Sequence, residues 1–180
     1  LNRLAITDGT PIAAAKWIQP QWIGRVFGSL VIEDSGRRQV FQLDDELRLH
    51  QVLGGDGQEG LSPDGLSPSQ TTVGSLGGMV GVQSSQTGGQ LVVFSDRSQA
   101  RVRAWALGPE PTRGFGRVFN PGQVTTLLGN EISSRVQAPG HLSVSDEGLW
   151  IADEARRCVG LLRHDGGFEL RPELCLAEFV

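Results

Sequence analysis

The chain has 180 residues, with 25 glycines, 9 prolines and 38% apolar residues, a composition of many short strands and tight turns that excludes a fold of long helices. Its formal net charge of −4 gives no general attraction to nucleic acid or to an anionic membrane. No run approaches the roughly 18–20 apolar residues of a membrane-spanning helix, so no membrane contact is expected.

In chain order, Leu4-Ala5-Ile6-Thr7-Asp8-Gly9 opens the sequence as a short apolar run closed by glycine. The next run, Ile12–Ile18, is bracketed by Pro11 and Pro20 and reads as a strand, although its three alanines would also suit a helical turn. Leu30-Val31-Ile32-Glu33-Asp34 is a strand ending in Asp, and Gln51-Val52-Leu53-Gly54 is another closed by glycine. Residues 55–72 then hold two near-identical pieces, Gly60-Leu61-Ser62-Pro63-Asp64 and Gly65-Leu66-Ser67-Pro68-Ser69, and read as a mobile loop enlarged by duplication. From Gly65 to Ser95 no residue is charged. Further strands are expected at Leu91–Asp96, Arg101–Ala106, Gln123–Leu128, Leu142–Val144, Leu149–Asp153 and Val159–Leu162. A second loop-like stretch spans 108–120, and His164-Asp165-Gly166-Gly167 signals a hairpin turn.

These elements repeat. Leu30–Asp34, Leu91–Asp96 and Leu149–Asp153 each follow a glycine (Gly28, Gly89, Gly148), end in Asp, and are followed six residues later by Val40, Val102 or Val159. Asp34 to Gly54 and Gly129 to Asp153 together set a period of about 44 residues, inside the roughly 40–50 residues of a four-stranded propeller blade. The longer spacings between the aspartates are accommodated by the stretches at 55–72 and 108–120. Repeats are therefore placed at about 10–54, 55–129 and 130–174 of a single segment, 1–180.

The order Val124–Gly129, Ala138-Pro139-Gly140-His141-Leu142, then Glu147–Asp153 resembles the NHL repeat. The first copy matches from Gly28 to Gly54, with Pro20 near the Pro-Gly step. The middle copy matches from Gly89 to Val102, with Gly77-Gly78 replacing that step, and all three lack the usual Asn in the turn after Asp. The resemblance implies an all-β fold of four-stranded antiparallel blades around a channel. Three blades are fewer than the typical 4–8, which implies an incomplete or larger propeller, continued in further blades or completed by self-association. Leu1 stands within a strand-like run rather than at an initiator Met, as in a segment of a longer chain.

The expected role is a macromolecule-binding scaffold with a protein partner. The alternatives are a calcium-dependent lactonase- or esterase-type propeller hydrolase and an RNA-binding NHL module, the latter not favoured. Arg37, Arg38, Arg101, Arg156 and Arg157 crowd the turns after the aspartates and are the candidate contact residues on a shared rim. Asp34, Asp96 and Asp153 read as acceptors for backbone N–H groups of those turns and as partners for Arg37, Arg101 or Arg157, not as metal ligands. His50, His141 and His164 belong to no HxxE, HxH or HExxH spacing, there is no G-x-S-x-G elbow, and Gly54-Gly55-Asp56-Gly57 lacks the Lys-Ser/Thr of a P-loop. No catalytic residue, metal or cofactor is assigned. Cys158 and Cys175 are too few for a disulfide framework and form no CxxC, so free thiols and an intracellular setting are expected.

Overall fold

In a computed structural model, residues 6–55, 57, 60–129 and 136–176 are described. The chain is all-β, built from antiparallel sheets that resemble propeller blades. The first blade contains β1 (Thr10–Pro11), β2 (Pro20–Val26), β3 (Ser29–Asp34), β4 (Gln39–Leu43) and β5 (Arg48–Leu53), in spatial order β1-β5-β4-β3-β2. The second contains β6 (Leu76–Gln83), β7 (Gln90–Asp96), β8 (Arg101–Leu107) and β11 (Thr125–Leu128), in order β11-β8-β7-β6. Between β8 and β11 it carries the separate hairpin β9 (Thr112–Gly114) and β10 (Arg117–Phe119). The third runs β12 (Pro139–Ser145), β13 (Gly148–Asp153), β14 (Cys158–Arg163), β15 (Phe168–Arg171), each strand beside the next. Among the described residues no helix is long and apolar enough to cross a membrane.

The repeated aspartates occupy one position in all three sheets. Asp34 pairs with Pro20, Asp96 with Leu76 and Asp153 with Pro139, and in each blade the register slips immediately afterwards at a bulge. The carboxylates are buried and reach across to the chain entering the blade. Asp34 accepts from Ile18 N–H and Gln19 N–H at 2.9 Å each, Asp96 from Gly74 N–H at 2.9 Å, and Asp153 from Gln137 N–H at 2.8 Å and Ala138 N–H at 3.1 Å. Asp96 and Asp153 also accept from the following turn, at Gln99 N–H and Arg156 N–H. Among the arginines expected to pair with them, Arg37 lies 3.3 Å from Asp34, but Asp153 meets Arg156 rather than Arg157, at 3.9 Å. Asp96 is held by the Ser98 hydroxyl at 3.1 Å instead of by Arg101.

Core residues follow the two-residue period of strands packed on both faces. In β7, Val92 and Phe94 face the first blade with Val31, Met79 and Trp105, whereas Leu91 and Val93 face the third with Leu149, Ile151 and Leu162. This double burial explains the unbroken apolar run Leu91–Phe94. The first strands of the second and third blades come so close that a Cβ at Gly77 would lie 2.4 Å from the Pro139 carbonyl oxygen. Gly77, in the glycine pair that replaces the Pro-Gly step, is thus a steric requirement of that contact.

Several expectations need correction. Ile12–Ala14 is a 3-10 turn, not part of a strand. With Ile6, Ala15 and Trp17 the segment lies over Phe41, Leu43 and Leu49 and covers the outer face of the first blade; the Trp17 and Phe41 rings meet edge-on at 6.0 Å. Leu4 and Ala5 of the opening run lie outside the described residues. The cysteines are not free: Cys158 and Cys175 form a disulfide, because the β14–β15 hairpin returns the chain beside the start of β14. The intracellular reading that rested on free thiols loses that support. In the 55–72 stretch, whose residues 56, 58 and 59 lie outside the described residues, the remainder is tied to the second blade rather than loose. Gly65 N–H donates to the Val124 carbonyl (2.9 Å), Val124 N–H to the Leu66 carbonyl (2.8 Å), and buried Arg103 donates to the Ser62 hydroxyl and Asp64 at 3.0 Å each.

The missing turn asparagines have a structural cost. Four residues after each aspartate the backbone is left-handed, at Arg38 (φ 56°), Ala100 (φ 50°) and Arg157 (φ 52°). Asn tolerates that region better than residues lacking a short polar side chain. Ala100→Asn should therefore stabilise the protein by roughly 0.5–1 kcal/mol, read as a higher urea midpoint at unchanged slope. A lower midpoint would contradict the left-handed assignment.

Candidate functional site: a polar groove between the first two blades

The turns after the aspartates and the chain entering each blade lie at the same end of the sheets, so the candidate arginines share a rim. They do not share an environment. Arg37 is buried and donates to the Lys16 carbonyl as well as pairing with Asp34. Arg38 is half-buried, with a guanidinium N–H 3.3 Å from the Gly57 carbonyl oxygen. Arg101 is half-buried, Arg156 leans on Asp153, and Arg157 is exposed.

Only Arg38 of these lines a groove of about 800 Å³ on this rim. One wall comes from the first blade, with Gln19, Gln21, Ser35 and Arg38; the other comes from the second, with Ser75, Ser98 and Gln99; Val73 and Leu61 add apolar surface. Local structure explains each wall. Gln19 and Gln21 flank Pro20, where Asp34 pins the entering backbone and the bulge turns successive side chains outward. Ser98 and Gln99 sit in the turn that Asp96 organises. Among the described residues no carboxylate lines the groove. The groove thus offers amides, hydroxyls and one guanidinium, a set suited to neutral or acidic polar groups. Gln99 lies in the turn after Asp96, next to the candidate arginines in sequence. Gln19, Gln21 and Ser75 carry no repeat signature and were missed.

Beneath this rim the seam between the blades is electrostatically loaded. Glu33, 2% exposed, accepts from Leu76 N–H at 2.9 Å, while its Oε2 is buried without a hydrogen-bond partner. Burial pushes its pKa up to about 7; the Leu76 N–H opposes this, Asp34 and Asp96 add to it, and Arg97 opposes it. Burial likewise raises Asp96, against hydrogen bonds from Gly74 and Gln99 N–H and the Ser98 hydroxyl. Beside the groove, burial would raise Asp64, but the Thr126 N–H and hydroxyl (2.8 and 2.7 Å) and Arg103 outweigh it and hold its carboxyl below the usual range.

The histidines lie elsewhere. His50 stands between Asp44 (2.8 Å) and Asp8 (3.0 Å) on the first blade, and the hydrogen bond to Asp44 raises its pKa, opposed by desolvation and aided by Asp8. His141 is exposed on β12, and His164 stacks on Phe115. Among the described residues no three His, Cys, Asp or Glu side chains gather in a metal-binding group. Asp34, Asp96 and Asp153 belong to separate sheets.

No protein-family model matches the chain, and no curated protein matches it. Solved structures do. A Bacteroides thetaiotaomicron protein of unknown function aligns over 74% of this chain and 32% of its own length, at 16% identity and a TM-score of 0.53. An auxiliary nutrient binding protein from the same organism aligns over 82% and 37%, at 16% identity and 0.48. Virginiamycin B lyase from Staphylococcus aureus aligns over 84% and 40%, at 11% identity and 0.47. The chain thus spans between about a third and two fifths of these structures. The likeness at this identity shows the propeller-blade fold and nothing finer.

Glu33 generates a pH prediction. Its folded pKa near 7 exceeds its ordinary 4.5, so between these values the folded state holds more protons than the unfolded. Stability therefore falls as pH rises through that window and stays lower above it. Glu33→Gln, which mimics the protonated group, should flatten the decline between pH 5 and pH 8 and raise stability at pH 8 by roughly 2 kcal/mol, read by urea unfolding at both pH values. An unchanged pH profile would remove Glu33 as its source.

Proposed function

We propose that the chain is a macromolecule-binding propeller module of NHL-type blades, with a protein partner whose extended segment lies in the groove between the first two blades. The observation that carries this reading is the groove's chemistry: two facing walls of amide and hydroxyl side chains over a partly apolar base. An extended peptide presents one N–H and one C=O per residue. Gln and Ser can answer both, and Arg38 adds a site for an acidic side chain or a chain terminus. The recurring arginines at Arg101, Arg156 and Arg157 would extend the contact along the rim. RNA is the weaker reading, since Arg37 and Arg156 face Asp34 and Asp153 and the net charge is −4. A calcium-dependent hydrolase is also weaker, because the three aspartates are engaged by backbone donors in three separate sheets.

The test is a display selection of linear peptides on the immobilised protein, followed by calorimetry with the selected sequences. Gln21→Ala and Gln99→Ala should each weaken binding about five- to tenfold, the effect of losing one or two hydrogen bonds. Val118→Ser, on the β9–β10 hairpin, should leave it unchanged. Equal affinity for both glutamine variants and wild type would remove the groove from the interface. Steeply salt-dependent binding of oligouridylate without any peptide binding would favour the RNA reading.

A further inference from the structure

At the opposite end of the sheets, the same two blades enclose a second space with different chemistry. It measures about 300 Å³ and is lined by Val26, Val31, Val52, Met79, Val92 and Trp105, with Phe27 and Leu107 completing its apolar wall. Met79, Val92 and Trp105 are at most 6% exposed, whereas Phe27 and Leu107 are 39% and 37% exposed and form the mouth. The polar contribution comes from one pair, Gln42 and Ser29, whose carboxamide donates to the hydroxyl at 3.1 Å. The space is about twice the ~150 Å³ that holds benzene in an apolar protein interior, and it lies at the lower bound of ordinary small-molecule pockets.

The mouth residue is held in an unusual state. Phe27 and Gly28 form the two-residue turn between β2 and β3, with φ values of 47° and 85°, the geometry for which Asn-Gly is the favoured pair. A bulky aromatic residue is a poor occupant of the left-handed region. Its ring crosses to the second blade and lies on Gly81, where a Cβ would approach it to 2.9 Å. Two local choices, a phenylalanine against turn preference and a glycine opposite it, thus place an aromatic ring at the opening.

We propose that this inter-blade pocket binds a compact aromatic molecule of the indole or phenol class, with its hydrogen-bonding group on Gln42 and Ser29 and with Phe27 as the gate. The ring of the ligand would lie among Met79, Val92 and Trp105. Its N–H or O–H would meet the Gln42 carboxamide oxygen, which no intramolecular donor described above engages, or the Ser29 hydroxyl. This site is separate from the polar groove, and its existence does not depend on the peptide-binding reading.

Met79 is the only methionine in the chain, so methyl-labelled methionine gives a single NMR signal at the pocket. Titration with indole should produce a saturable 1:1 shift of that signal, with indole binding at least fivefold more tightly than toluene. Gln42→Leu should abolish that preference while leaving toluene binding in place. Val52→Phe, at a half-buried position, should fill the pocket and prevent the shift, with the unfolding midpoint confirming that the variant is folded. Phe27→Asn supplies the favoured turn pair, so it should fold at least as well as wild type and accelerate ligand dissociation at least tenfold. The proposal is overturned by linear, non-saturating shifts up to the solubility limits, by equal indole and toluene affinity in wild type, or by an unchanged shift in folded Val52→Phe. An unchanged dissociation rate in Phe27→Asn would overturn the gate.

Discussion

A buried carboxylate at the end of each blade's second strand holds the architecture together. Asp34, Asp96 and Asp153 each accept hydrogen bonds from backbone entering the blade, and the register of the first strand slips next to that contact. The donors, at Ile18, Gln19, Gly74, Gln137 and Ala138, precede the strand ladder and would otherwise lack ladder partners, and a buried unpaired N–H is costly. The carboxylate satisfies those donors, and the donors compensate its own desolvation. One side chain thereby fixes where a blade starts, where its second turn bends and which side chains face the rim. The groove follows from this, because Gln19, Gln21, Ser98 and Gln99 are positioned by Asp34 and Asp96.

The residue before each aspartate governs the seam to the next blade. Glu33 accepts from Leu76 N–H in the second blade, and the Ser95 hydroxyl donates to the Gly140 carbonyl in the third at 2.6 Å. Ala152 holds the corresponding place in the third blade. The two seams are therefore chemically different despite a shared backbone geometry. The Ser95 contact is neutral and satisfied, whereas Glu33 leaves one buried oxygen unpaired beside Asp34 and Asp96. An unsatisfied charge at a packed interface weakens it, and both concavities described above open along the seam that contains Glu33. At the other seam, close approach of Gly77 and Gly78 to the third blade leaves less room.

The blade repeat was legible because it is written in local chemistry: an apolar run, an Asp that must be satisfied and a glycine at a tight turn. The unbroken apolar run Leu91–Phe94 likewise announces a strand packed on both faces. What escaped were features created when distant segments meet. Ile12–Ala14 has strand-like neighbours, but Pro11 and the surface of Phe41 and Leu49 turn it into a covering segment. Cys158 and Cys175 carry no pairing signal at 17 residues' separation until a hairpin brings them together. The arginines follow the aspartates in sequence, yet local sequence does not distinguish Arg37, turned inward, from Arg157, facing solvent. Nor does the loop at 60–72 advertise its anchor, since Arg103 lies about 40 residues away.

In a repeat architecture each sheet offers apolar surface that must be covered. The first blade meets this with the segment carrying Ile6, Ile12 and Trp17. The third blade uses polar chemistry. Trp150 is covered by the Arg171 guanidinium at 5.5 Å and donates its indole N–H to the Ser145 hydroxyl. Arg171 also reaches Glu147 and Glu169 at 3.3 Å each, and Arg163 meets Glu169 at 2.6 Å. Each exposed ion pair alone contributes little, but together they lay charged groups and long alkyl stems over an aromatic face. The inner blade, by contrast, has apolar neighbours on both sides and needs no such cover. The two outer faces thus differ in chemistry, one covered by apolar side chains of the entering segment and the other by ion-paired arginines over an indole ring.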